Sequence, residues 1–256
     1  MPAPLCLLQI TDPHLFAHDG GEIEGVNTQT SLSAVLAGAQ ARADWPPQAV
    51  LATGDLVHDH TRAGYERFRT NLAGFGLPVY CIPGNHDEPG LMREMLDTAP
   101  FQFCGAAEYG PWAIAMLDTH LPGSNGGRLG DSELARLDAL LAGWPDRHVL
   151  VCLHHQPVPM GSPWIDSLGI EDVDELLAIV ARHGNVRALL WGHVHQESDR
   201  MRDGLRLMST PSTCAQFAPF TEVFTVDDAA PGYRWLELAA DGGIVSEVIR
   251  VPFHAR

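Results

Sequence analysis

Five short apolar runs each break off into a cluster of chemistry-bearing residues, and this repeat limits the folds open to the chain. Residues 5–11 end at Asp12-Pro13-His14, 49–53 at Gly54-Asp55, and 79–82 at Gly84-Asn85-His86-Asp87. Residues 149–153 end at His154-His155, and 188–191 at Gly192-His193-Val194-His195. Short runs rich in Val, Ile and Leu read as strands buried on both faces. Another strand is predicted at 112–117. Between the strands, 28–43, 62–73, 89–97, 132–142 and 171–183 place apolar residues at helical spacing, as Leu32, Val35, Leu36 and Ala39 do. The alternation predicts a sheet of parallel strands with right-handed crossovers. Ligands sit beyond the carboxyl ends of such strands, so all five clusters are expected on one rim.

The pattern changes after His195. Residues 197–202, 205–209, 221–226, 232–238 and 244–251 read as strands, with hairpin turns at Asp203-Gly204 and Asp241-Gly242-Gly243. The expected architecture is α/β, with two sheets packed face to face and helices outside. Residues 1–256 are read as a single domain, in which the antiparallel strands of 197–256 complete the second sheet.

Charge narrows the partners. All 16 basic residues are Arg, against 32 acidic residues, for a net charge of −16. A partner held through a phosphate backbone, whether nucleic acid or anionic membrane, is therefore not expected. The lack of Lys excludes Schiff-base chemistry and a Walker lysine. The five Cys are scattered and form no C-x-x-C, which fits small buried hydrophobes in a reducing compartment. Met1-Pro2-Ala3-Pro4 lacks the basic start and apolar stretch of a signal peptide, so a soluble, cytoplasmic protein is expected.

The rim would bring together Asp12, His14, Asp55, Asn85, His154, His193 and His195. Imidazole, carboxylate and amide donors without thiolates suit Mn, Fe, Zn or Co. Seven side chains exceed one tetrahedral ion and suit two ions that share a carboxylate. Two divalent cations carry +4 and Asp12 and Asp55 return −2, so a positive pocket can exist within an acidic molecule. It would accept a small phosphate ester.

In this order, D-x-H, G-D, G-N-H-D, H-H-x-P and G-H-x-H resemble the motifs of the calcineurin-like metallophosphoesterases. Further segments resemble the bacterial class III cyclic AMP phosphodiesterases. They include Gly25-Val26-Asn27-Thr28, Ser209-Thr210-Pro211-Ser212-Thr213-Cys214 and Ala230-Pro231-Gly232-Tyr233-Arg234. The resemblance implies a four-layer α/β/β/α sandwich of two mixed sheets. It implies that Asp12, His14 and His195 bind one metal, that Asn85, His154 and His193 bind a second, and that Asp55 bridges both. The metals would be Fe2+ or Mn2+, with Zn2+ as the alternative. His14, Asp55, Asn85, His86 and His195 would line the phosphate, with His86 as the general acid. The implied reaction is hydrolysis of 3′,5′-cyclic AMP to 5′-AMP by a metal-bridging hydroxide.

A 2′,3′-cyclic nucleotide, a glycerophosphodiester, a nucleotide pyrophosphate and a phosphomonoester stay open as substrates of the same machinery. A catalytically silent binding scaffold is the alternative from another class. A homodimer also stays open. His155 is the weaker candidate beside His154. His58 and His60 are expected in a solvated loop, and His18, His148, His183 and His254 as surface or core residues. Asp87 is expected to orient His86 or cap the next helix, Asp118 to support the rim, and Trp164 to be a packed aromatic. Ser212, Thr213 and Phe217 are expected near a base pocket.

Overall fold

The computed structural model describes residues 3–252; His254, expected as a structural residue, lies outside them. Two six-stranded sheets face each other. The strands are β1 (Leu5–Ile10), β2 (Ala49–Thr53), β3 (Val79–Ile82), β4 (Phe101–Phe103), β5 (Ala106–Tyr109) and β6 (Trp112–Met116). There follow β7 (His148–Cys152), β8 (Val186–Trp191), β9 (Ser198–Arg202), β10 (Leu205–Ser209), β11 (Gly232–Leu238) and β12 (Ile244–Arg250). The first sheet runs β12-β11-β1-β2-β3-β4 and the second β9-β10-β8-β7-β6-β5. Strands β1 to β4 pair in parallel, as do β6, β7, β8 and β10, while the outer pairs are antiparallel.

Period-two alternation explains why these strands read as unbroken apolar runs. Leu7, Leu51 and Ile82 point between the sheets, where they meet Ile114, Leu150, Leu190 and Met208. Their neighbours Leu8, Val50 and Cys81 point the other way, onto α1 (Thr28–Gln40), α2 (Arg62–Ala73) and α3 (Pro89–Leu96). The second sheet likewise turns Ala113, Val151 and Leu189 toward α4 (Gly130–Gly143) and α5 (Val173–His183). The inner strands of both sheets are buried on both faces, while edge strands such as β9 are largely exposed, and the result is the expected four-layer sandwich.

The tail differs from expectation. Only β9 and β10 join the second sheet; β11 and β12 extend the first, with β11 antiparallel to β1 from Leu5↔Leu238 to Gln9↔Arg234. The tail is not wholly antiparallel either, because β10 pairs in parallel with β8. The cause lies in what β1 offers: β2 occupies one edge, and the other needs an apolar strand such as Tyr233–Trp235–Leu236 to cover it. Buried Arg234 ties the two halves of the tail together, donating to the Ser209 carbonyl (2.6 Å) and the Thr210 hydroxyl (3.0 Å). The strand expected at 221–226 shrinks to a two-residue pairing of Gln216–Phe217 with Val226–Asp227. Among the described residues, no helix is long and apolar enough to cross a membrane.

Candidate metal centre

The five strand ends meet. His14 and Asp55 follow β1 and β2, and two loop hydrogen bonds hold these ends side by side: Asp12 N–H to the Gly54 carbonyl (3.0 Å) and His14 N–H to the Asp55 carbonyl (2.9 Å). Asp12, His14, Asp55, His193 and His195 all take left-handed backbone angles, with φ between 46° and 64°. That region costs non-glycine residues energy, and it persists only where surroundings fix it. Two glycines are required by close approach. A Cβ on Gly84 would overlap the Asp55 carboxylate, and one on Gly192 would overlap the Thr11 hydroxyl and the Asp12 carboxylate.

Four further hydrogen bonds fix Asp12 and Asp55. Asp12 accepts from the Thr11 hydroxyl (2.6 Å) and the His193 N–H (3.1 Å). The Ser212 hydroxyl donates to the Asp12 carbonyl (2.7 Å), which gives the tail loop a role in placing a strand-end residue. The Asp55 carboxylate accepts from the His86 N–H (2.8 Å).

Two imidazoles have an assignable proton. His154 Nδ1–H donates to the Thr53 carbonyl and His195 Nδ1–H to the Ala215 carbonyl, both at 2.8 Å. A carbonyl only accepts, so Nδ1 carries the proton and Nε2 is bare in the neutral ring. Each bare Nε2 then faces more acceptors. His195 Nε2 lies 3.3 Å from Asp12 Oδ1; His154 Nε2 lies 3.4 Å from Asp55 Oδ2 and 3.2 Å from Asn85 Oδ1. Asp55 Oδ2 is also 3.7 Å from His14 Nε2, which itself is 3.3 Å from His195 Nε2. The His193 Nε2 is buried without a hydrogen-bond partner among the described residues.

Buried acceptors aimed at acceptors call for positive charge between them. Among the protein groups alone, burial disfavours charge on His154, but Asp55 and Asp12 overcome it and lift His154 to about 9. Burial likewise opposes charge on Asp55, yet the His154 charge holds it well below the usual carboxylate range. Burial first, then the neighbouring imidazole of His155, pushes His193 well down. The donors group as Asp12, His14 and His195 on one side and Asp12, Asp55 and His154 on the other, each set close enough to hold an ion. The oxygen and imidazole donor set and the orphaned His193 nitrogen fit divalent transition-metal ions.

Asp87 neither orients the His86 ring nor caps α3, whose cap is Glu88. Its carboxylate instead accepts from the N–H groups of Leu56 (3.0 Å), Val57 (3.1 Å) and Gly84 (3.0 Å), and from the Tyr65 hydroxyl (2.9 Å). It clamps the Asp55 loop to the Asn85 loop. Burial and the nearby Asp55 charge push it up to about 7. Asp87→Ala would leave four buried donors unpaired, at about 1–3 kcal/mol each if fully stranded. We expect a loss of about 3 kcal/mol or more of stability, read from the urea midpoint at unchanged slope.

Other expectations shift. His58 is not simply solvated: its ring stacks on His86 (4.7 Å, 24°), and its Nδ1 lies 3.3 Å from His14 Nδ1. His60 is exposed. His155 pairs through Nδ1 with the Thr119 hydroxyl (2.8 Å), and its Nε2, without a hydrogen-bond partner among the described residues, is buried beside the His193 ring. The Asp118 carboxylate accepts from the His120 N–H (2.8 Å) and stands outside the donor groups. Trp164 is half-buried and lines a pocket of about 430 Å³ with His14, Asp55, Asn85, His86, His193 and His195. The roles of Thr53 and Ala215, and the clamp made by Asp87 in place of its expected role, are backbone or cross-loop contacts, which no motif spacing reveals.

Known proteins resemble the chain in sequence and in fold. The chain is 40% identical over 252 residues to the 3′,5′-cyclic adenosine monophosphate phosphodiesterase CpdA of Pseudomonas aeruginosa, covering 97% of this chain and 91% of that protein. It is 41% identical over 246 residues to the protein of that name from Haemophilus influenzae, covering 96% and 89%. The crystal structure of a dimetal phosphatase from Danio rerio has the same fold, with a TM-score of 0.67 at 15% identity over 98% of this chain and 100% of that one. Residues 7–197, which hold all five strand ends, match the calcineurin-like phosphoesterases, and the chain belongs to that family.

Proposed function

We propose that the chain hydrolyses 3′,5′-cyclic AMP to 5′-AMP at a centre of two divalent metal ions. The observation that carries the metal reading is the position of Asp55 Oδ2, which lies within 3.7 Å of His14 Nε2 and 3.4 Å of His154 Nε2. Asp55 thus reaches both histidine groups, as a shared ligand must; Asp12 Oδ1 also spans them, at 3.3 Å from His195 Nε2 and 4.0 Å from His154 Nε2, and the family resemblance favours Asp55 as the shared ligand. The names of relatives about 40% identical over almost the whole chain support the substrate.

In this reading Asp12, His14 and His195 hold one ion, Asn85, His154 and His193 the other, and Asp55 both. Fe2+ or Mn2+ suits these donors, with Zn2+ as the alternative. When bound, the ions acidify water for attack on phosphorus and neutralise the phosphoryl oxygens. The protein supplies the remaining parts. Asn85 turns Oδ1 toward His154, which leaves its amide N–H groups to donate to a phosphoryl oxygen as charge builds there. His86 lines the pocket, and its backbone is fixed on Asp55. As the bond between phosphorus and O3′ breaks, its imidazolium gives O3′ the proton that a poor alkoxide leaving group needs. His14, Asp55 and His195 complete the surface under the phosphate.

The pairing of β1 with β11 joins both parts of the chain in one sheet and supports reading residues 1–256 as a single domain. A net charge of −16 supports a small-molecule substrate over nucleic acid or membrane. We read the protein as cytoplasmic, with homodimer formation to be read from its mass in solution.

The test is a panel of 3′,5′-cyclic AMP, 3′,5′-cyclic GMP, 2′,3′-cyclic AMP, bis(p-nitrophenyl) phosphate and p-nitrophenyl phosphate, under Mn2+ and Fe2+. The expected result is the highest kcat/KM for 3′,5′-cyclic AMP. A clear preference for the monoester overturns the reading.

A further inference from the structure

One side of the pocket takes no part in handling a phosphate. Trp164 and Leu168 reach it from the helical turn Pro163–Asp166 and its exit, and Phe217 and Phe224 from the loop before β11. The three aromatic rings pack edge to face: Trp164 to Phe217 at 5.6 Å and 72°, Trp164 to Phe224 at 5.2 Å and 89°, and Phe217 to Phe224 at 5.0 Å and 71°. Phe217 lies flat on the His195 imidazole, with centroids 4.0 Å apart and planes 6° from parallel. The apolar wall therefore starts on a side chain of the candidate metal centre.

Trp164 packs against the core of the second sheet, as a packed aromatic should, but the wall is not buried core. Trp112, Trp191 and Trp235 are buried, whereas Trp164 is half-buried and Phe224 is 46% exposed. Water on large aromatic surface is unfavourable, yet the rings are held there. The Trp164 indole N–H donates to the Thr221 hydroxyl (3.2 Å), the Thr221 hydroxyl donates to the Ala218 carbonyl (3.1 Å), and the Thr221 N–H donates to Ser162 Oγ (3.1 Å). With its single polar group satisfied inside the protein, the indole offers the pocket only apolar ring. Such a wall beside converging polar groups suits a ligand that is flat and aromatic at one end and anionic at the other.

We propose that Trp164, Phe217 and Phe224 form the subsite for the nucleobase, next to the phosphate floor. This rests on the cyclic-nucleotide reading and deepens it: the wall is what separates nucleoside cyclic phosphates from base-free diesters. Stacking of a base on an aromatic side chain changes affinity by about 5- to 150-fold.

The test compares the Mn2+-loaded wild type with Trp164→Ala, Trp164→Phe and Phe224→Ala. The substrates are 3′,5′-cyclic AMP and the 3,5-cyclic phosphate of methyl riboside, which has the same sugar and diester without a base. In Trp164→Ala the ratio of the two kcat/KM values is expected to fall by about 5- to 150-fold, through the KM for cyclic AMP. Trp164→Phe is expected to recover most of it. Phe224→Ala, at an exposed position, is expected to lower the ratio in the same direction and keeps the test alive if Trp164→Ala fails to fold. Tryptophan fluorescence gives a second readout: 5′-AMP is expected to quench it, ribose 5-phosphate not, and Trp164→Phe to lose the quench. An unchanged ratio, an equal fall for both substrates, or equal quenching by ribose 5-phosphate overturns the subsite. A wild type that cleaves bis(p-nitrophenyl) phosphate but neither cyclic ester sinks the substrate reading instead, and the quenching contrast still decides the subsite.

Discussion

His86→Ala is expected to lower the turnover of 3′,5′-cyclic AMP by about 10²–10⁴-fold, the range set by losing a positioned acid, while the metal content per chain stays unchanged. The His86 side chain stacks on His58 and meets His14 edge-on at 5.1 Å. Its tie to Asp55 runs through the backbone N–H, which alanine keeps. The loop should therefore stay in place when the ring is removed. The leaving group provides an internal control. p-Nitrophenolate departs without a proton, so the defect on bis(p-nitrophenyl) phosphate should shrink to about tenfold or less. Elemental analysis of the variant decides between roles: metal loss would make His86 a ligand, grouped with His14 and His58, and would remove it as the acid.

Asp55→Asn is expected to cost metal as well as rate. Asparagine keeps the shape, tolerates the left-handed φ of 51°, and can still accept from the His86 N–H. What it removes is the negative charge shared between the His14 and His154 sides. We expect at least one of the two ions to be lost, with a fall in kcat/KM of about 10²–10⁴-fold, equivalent to several kcal/mol of charge stabilisation. Full activity with full metal content in Asp55→Asn would refute the shared-ligand assignment.

The parts of this protein that were legible in its sequence are those in which a signal is local. Leu5 to Ile10, Ala49 to Thr53 and Val79 to Ile82 are short apolar stretches because both faces of each strand are covered, and each is followed at once by its polar cluster. Fold class and the convergence of Asp12, Asp55 and His193 follow from that regularity. The placement of the tail was not legible. Asp203-Gly204 and Asp241-Gly242-Gly243 announce hairpins, but a hairpin does not say which sheet edge it will extend, and β11 went to β1. The three-residue strand Phe101–Phe103 gives too short a pattern to recognise. Trp164 and Phe224 come from loops 60 residues apart, so nothing in either segment announces that they share a wall. His58 was misjudged for a related reason: its neighbour His86 belongs to a different strand end.

The position of β1 between β2 and β11 has a consequence for synthesis. Every candidate ligand, from Asp12 to His195, leaves the ribosome before Ala215, Ser212 and β11. Until those residues emerge, β1 has an open edge, the His195 ring has no carbonyl to fix its tautomer, and the Asp12 backbone has no hydroxyl donor. A nascent chain stalled after His195 would carry all seven candidate donors without the Ser212 and Ala215 contacts that fix Asp12 and His195.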